Sequence, residues 1–98
     1  MAVAPAEVAP NVYGVLFEND RVRLLEVRLR PGDGSARHSH PDYLVYALEG
    51  GKVRLTSPDG ESGEVDVSAG DVMWREAEEH STENTGTTEL RALFFELK

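Results

Sequence analysis

His38, His40 and His80 are the only histidines in the chain, and they are the residues best suited to do chemistry. His38 and His40 stand one residue apart in a stretch that reads as a strand. Side chains alternate across a strand, so both rings point to one face, about 7 Å apart along it. Two imidazoles so placed can converge on one metal ion. The pair alone is also what two surface histidines look like, so the third ring matters. Tyr46 follows at even spacing and points the same way if the strand runs unbroken, although Pro41 can shift the register. Beside a metal, the Tyr46 phenol can donate a proton or hold an oxyanion. Its plainer role is core packing. Met73, Trp74, Phe94 and Phe95 are large apolar groups in strand-like stretches, suited to a core or to the wall of a small pocket.

Other chemistries fall away. The chain has no cysteine, which excludes thiolate catalysis, a disulfide framework, a zinc finger and an iron–sulfur cluster. No nucleophile elbow supports a Ser-His-Asp arrangement. Gly32-Asp33-Gly34 lacks the helix that a phosphate-binding loop requires. A formal net charge of −8 removes the basic surface that nucleic acid or an anionic membrane would draw on. No apolar run approaches the roughly 20 residues of a membrane span. The opening MAVAPAEVAP has neither the basic start nor the long apolar stretch of a secretory signal. A cytoplasmic protein is expected, with no nucleic acid or membrane as partner.

The elements that must position the histidines are strands. Ninety-eight residues make one domain, with room for one core and one site. Residues 1–10 are Ala/Pro-rich, a loose tail or an edge strand reaching a second subunit; the domain proper runs over 11–98. Asn11 to Glu18 reads as a strand, closed by the turn pair Asn19-Asp20. Arg21 to Arg30 alternates, with Arg23, Leu25, Val27 and Leu29 on one face. Pro31 to Gly34 breaks it. Further strands are expected over Arg37 to His40, Tyr43 to Leu48, Lys52 to Ser57, Gly63 to Ser68, Val72 to Trp74 and Glu89 to Lys98. Only Arg75 to Glu79 tempts a helical reading, and it is too short to bury a face. Short strands punctuated by Gly, Pro, Asp and Asn predict an all-β sandwich or small barrel.

Two stretches resemble known motifs. Pro31-Gly32-Asp33-Gly34-Ser35-Ala36-Arg37-His38-Ser39-His40-Pro41 through Leu48-Glu49-Gly50-Gly51 looks like the first motif of the cupin family. Gly70-Asp71-Val72-Met73-Trp74, followed by His80-Ser81-Thr82-Glu83-Asn84, looks like the second. The resemblance implies a single-domain double-stranded β-helix of jelly-roll type. It places His38, His40 and His80 at the family's metal-ligand positions, meeting inside the barrel mouth. It also implies a homodimer, for which exposed strand edges give a physical motive.

The sequence departs from the family pattern at two places. The carboxylate ligand is missing: its position falls at Leu44, or at Tyr43 with a one-residue slip. Asp42 is near, with alternation as its only argument. The loop before His80 has Glu76-Ala77-Glu78 in place of Pro-x-Gly, and Glu79 then sits beside the third histidine; these glutamates read either as a solvated acidic loop or as carboxylates that support the ligands or line the mouth. Three neutral imidazoles would leave a divalent ion its full charge and open positions, the arrangement of a catalytic site. Three-His sites are similar to those of some cupin dioxygenases acting on thiols or β-diketones. Fe, Mn, Ni, Zn or Cu all remain candidates.

The expected function is therefore Lewis-acid or O₂ chemistry on a small organic molecule, as in a dioxygenase, isomerase or lyase. Tyr46 and Glu79 are candidates for proton transfer, and Leu44, Trp74 and Phe94 for the pocket wall. The alternative is a non-catalytic small-molecule binding or sensing module with a degenerate metal site.

Overall fold

The computed structural model of the chain describes residues 11–98, and the expected tail or edge strand over 1–10 lies outside them. Nine strands follow one another: β1 Tyr13–Glu18, β2 Val22–Leu29, β3 Gly34–His40, β4 Tyr43–Glu49, β5 Gly51–Thr56, β6 Ser62–Val67, β7 Val72–Arg75, β8 Glu78–Asn84 and β9 Leu90–Leu97. They form two sheets, ordered β1-β2-β9-β4-β7 and β3-β8-β5-β6, with every pairing antiparallel. The core fills the space between them. Leu25, Val27 and Leu29 face inward from β2, as their alternation predicts, and meet Tyr43, Val45, Leu90 and Ala92.

Two features are not legible in the residue pattern. The run over 75–79 is not helical, as its shortness predicts, but it also holds the start of a strand: Arg75 ends β7 and Glu78 opens β8. Composition hides β8, because Glu78–Asn84 is polar throughout and carries no apolar alternation. Its place between β3 and β5 comes from backbone pairing to both neighbours rather than from an apolar face. The second feature lies at Pro41-Asp42. There the chain leaves one sheet and enters the other, so β3 and β4 are not one continuous strand. The inward residues of β4 are consequently Tyr43, Val45 and Ala47, while Leu44 and Tyr46 point out.

Side chains pin the connections. Buried Asn84 donates through Nδ2 to the Leu29 and Thr88 carbonyls at 2.8 and 2.9 Å and accepts from the Gly86 amide at 2.9 Å. One side chain thus fixes the end of β2 and the loop before β9. Gly50, between β4 and β5, is held by close approach. A Cβ there would meet the Val67 carbonyl oxygen at 2.3 Å, a contact that only backbone movement relieves. Gly50→Ala should therefore lower stability by about 1–3 kcal/mol. Gly63→Ala, where a Cβ meets nothing within 4 Å, should change it by less than about 0.5 kcal/mol. Denaturant unfolding of the two variants checks the contrast.

Candidate metal centre

The register of β3 against β8 builds the site. His38 pairs directly with His80, and His40 pairs with Glu78. His38, His40, His80 and Glu78 therefore share one face of the four-stranded sheet, the face turned to the core. All three histidines are buried, between 1% and 4% exposed. Their rings pack edge to face, with centroids 4.7 to 5.1 Å apart. One ligand nitrogen from each lies within 4.8 Å of the other two, close enough for a shared ion at roughly 2 Å from each after small ring movements.

Partners on the Nδ1 side orient the rings. His38 Nδ1 donates to the Ala36 carbonyl at 2.8 Å. His40 Nδ1 donates to the Glu96 carboxylate at 2.6 Å. Carbonyl and carboxylate oxygens only accept, so both rings carry their proton on Nδ1 and present a lone pair at Nε2. His80 Nδ1 lies 3.2 Å from a Glu78 oxygen, within ion-pair reach but not aligned for a hydrogen bond. The Nε2 atoms of His40 and His80 are buried and have no hydrogen-bond partner. His38 Nε2 accepts from the Tyr13 hydroxyl at 3.2 Å. Buried lone pairs without donors are costly, and a divalent cation is a group that would satisfy several at once. The donor set therefore fits a metal ion.

Burial also sets protonation. It pulls the His38 imidazolium down from its ordinary 6.5 to about 4, against the help of the Ala36 carbonyl. His40 is lowered by burial too, although its bond to Glu96 opposes the shift. Neither ring then carries an Nε2 proton to displace at neutral pH. Around them lie two phenols. Tyr43 stacks on His40 with centroids 4.5 Å apart and donates to Glu78 at 2.6 Å. Burial, then the Glu78 carboxylate, raise its phenol far above the ordinary range. Burial does the same to Tyr13. Burial works to raise Glu78 as well, but the Arg75 guanidinium, the His80 ring and the Tyr43 hydroxyl outweigh it and keep the carboxylate ionised. Arg75 meets Glu78 through two nitrogens, at 2.5 and 2.8 Å.

Beside the rings lies an apolar cavity. Leu29, Val45, Val53, Leu55, Met73 and Phe94 are among its walls, and Tyr13, Tyr43, Arg75, His80 and Thr82 are its polar contributors. A family model, the cupin domain, matches residues 25–96. The chain belongs to the cupin family. A cupin domain from Bordetella pertussis Tohama I shares its structure at a TM-score of 0.80 and 31% identity, over 89% of this chain and 92% of that one. The polyketide cyclase RemF from Streptomyces resistomycificus is similar at 0.62 and 25% identity, over 87% of this chain and 63% of that one. A double-stranded β-helix protein from Klebsiella pneumoniae shares the fold at 0.68 and 18% identity, over 86% and 73% of the two chains. No curated protein matches the sequence.

Several residues expected at this cupin's site stand elsewhere. Leu44, Tyr46 and Trp74 are exposed on the outer face of the five-stranded sheet. The sheet change at Pro41-Asp42 resets the alternation for Leu44 and Tyr46, and Trp74 shares their face by pairing with Leu44. Tyr46 is therefore no proton donor to the histidines, and Leu44 and Trp74 are not cavity wall. Glu79 pairs with Ser39, which sets it on the face of β8 opposite His80, and its carboxylate meets Ser39 and Arg37. Asp42 accepts from the Ala77 amide at 2.8 Å and serves as a loop cap. Phe94 does line the cavity, 5.6 Å from the His40 ring between centroids.

The residues missed are Glu96, Tyr13 and Tyr43, and of the loop glutamates it is Glu78 that stands beside the histidines. Glu96 carries a legible signal: it is a lone carboxylate in line with the inward apolar residues Leu90, Ala92 and Phe94, and it is fully buried. Removing it strands the His40 N–H in the core. Glu96→Ala should cost about 2–4 kcal/mol, the sum of an unsatisfied donor and a cavity, and Glu96→Gln less, both read by denaturant unfolding. Acid should act through His38. Its folded pKa lies below its unfolded one, so the unfolded chain binds the proton more tightly. Stability of the metal-free protein is then full above about 6.5 and drains as pH falls toward about 4. His38→Gln should flatten that limb of a Tm-against-pH curve.

Proposed function

We propose that this cupin holds one divalent metal ion between His38, His40 and His80 and acts on a small, largely apolar organic molecule in the adjoining cavity. The observation that carries the reading is the pair of buried, partnerless Nε2 atoms of His40 and His80 beside a third ring whose Nδ1 is already anchored. When bound, the ion supplies Lewis-acid stabilisation of charge on a substrate oxygen, or O₂ chemistry if it is iron. Fe, Mn, Ni, Zn and Cu all suit imidazole-rich donors with open positions.

The chain's own residues do the rest. Glu96 and the Ala36 carbonyl hold two rings in their tautomers, and Glu78 stands behind the third. Apolar walls exclude water and strengthen electrostatic interactions inside. The Tyr13 hydroxyl stays neutral because burial opposes its ionisation, so it serves as a hydrogen-bond donor to a developing oxyanion. Likeness to a polyketide cyclase favours enolate-type chemistry on a β-dicarbonyl substrate over the dioxygenase and isomerase versions.

A second reading, a binding or sensing module, draws on one observation: His38 Nε2 already has the Tyr13 hydroxyl as its donor, which competes with a metal. Each of His38→Ala, His40→Ala and His80→Ala should reduce bound metal to below about a tenth of wild type by elemental analysis, as loss of a three-coordinate site demands. Full metal in all three variants overturns the assignment. Undiminished ligand affinity in metal-free protein, read by thermal shift, selects the binding module.

A further inference from the structure

Arg75 stands where the pattern of its strand calls for an apolar residue. On β7, Val72 and Trp74 are exposed on the outer face. Met73 and Arg75 face inward, opposite Val45 and Tyr43 in the register with β4. A guanidinium thus reaches the wall of the cavity beside the histidines. Among the described residues it is the only side chain of that wall with a permanent charge.

Its place is also the entrance. Leu55, Arg75 and His80 line both the inner cavity and an open basin bordered by Ser57, Glu61 and Ser62. A molecule moving from the basin toward the imidazoles passes Arg75.

The pair with Glu78 occupies only part of the guanidinium. Nε and Nη2 donate to the two carboxylate oxygens, a side-on grip that takes two of the five N–H donors. The end-on edge of the fork, formed by Nη1 and the second N–H of Nη2, has the geometry for another carboxylate. Tyr43 donates to Glu78 as well, which holds that carboxylate in place when a second one arrives. An ion pair at an inward position is weak evidence for stability, because apolar groups of similar volume often serve as well. A binding role accounts for the charge.

We propose that Arg75 recognises a carboxylate, and that the molecule entering this cavity is a short aliphatic carboxylic acid, bound as its anion with its chain against the apolar wall. The inference rests on the reading of the cavity as the ligand site. Size agrees: the cavity of about 70 Å³ accommodates roughly five water-sized groups. Charge agrees too. A chain of net charge −8 repels anions at long range, so one that binds needs a local cation. The acids of the basin are largely neutralised, Glu78 by Arg75 and Glu79 by Arg37 at 3.5 Å.

Butyrate and its neutral isostere butyramide test this by chemical-shift titration of the chelator-treated protein, where no metal contributes. Butyrate should bind at least about tenfold tighter than butyramide, as a pair of charge-assisted hydrogen bonds implies. Arg75→Gln should bring that ratio to about one without weakening butyramide, and Arg75→Lys should keep part of the preference. Arg75→Gln strands the Glu78 carboxylate, so the double variant Arg75→Gln/Glu78→Gln, checked for unchanged β-sheet circular dichroism, should give the same ratio of about one with no charge left alone. Butyramide binding as tightly as butyrate in the wild type overturns the role of Arg75 and leaves the cavity as a ligand site. A preference for butyrate that survives in the double variant overturns it as well. If neither compound moves the resonances of cavity residues at millimolar concentrations, the proposal and the cavity reading fall together.

Discussion

Burying an imidazole without an acceptor for its N–H is costly, and the site meets that demand for two of its three rings. The Ala36 carbonyl and Glu96 take the Nδ1 protons of His38 and His40, and Glu78 stands behind His80. For His38 and His40 the tie turns the remaining ring nitrogen toward the shared centre. Those ties come from two places, the backbone of β3 and the far sheet through β9, while His80 has only the Glu78 carboxylate within ion-pair reach. A site of this kind tolerates the loss of a carboxylate ligand more readily than the loss of a supporting carboxylate, since the latter leaves a buried donor with nothing to bond.

The fold was largely legible in the sequence because most strands bury one face and so alternate. Arg21 to Arg30 states its orientation outright, with Leu25, Val27 and Leu29 inward. Legibility failed where burial and composition part company. Glu78–Asn84 is polar in every position, yet it is a strand with neighbours on both sides. The histidine triplet was visible because His-x-His fixes two rings on one face and the family resemblance supplied the third. Its supporting residues were not, because Glu96 and Tyr13 come from strands distant in sequence and meet the histidines only through the packing of one sheet on the other.

The error at Tyr46 has a single cause. Period-two counting is reliable within a strand and uninformative across a change of sheet. At Pro41-Asp42 the chain changes sheet, and every residue after it is counted afresh. The phenols near the imidazoles are then Tyr43, just past the break, and Tyr13, from the first strand. Counting through the break placed Tyr46 inside, and the family's motif spacing drew in Leu44; the structure has both on the outer face with Trp74.

The histidines ride on one sheet, while Tyr13, Tyr43, Phe94 and Glu96 ride on the other. The polar centre therefore sits in the seam, and the gap between the layers sets its dimensions. Core residues that act as spacers, such as Val45 and Met73, also trim the chamber next to it. Enlarging the chamber for a bulkier guest would draw Glu96 away from His40, so pocket size and ring orientation are mechanically coupled. Evolution of this barrel toward new guests must adjust both together.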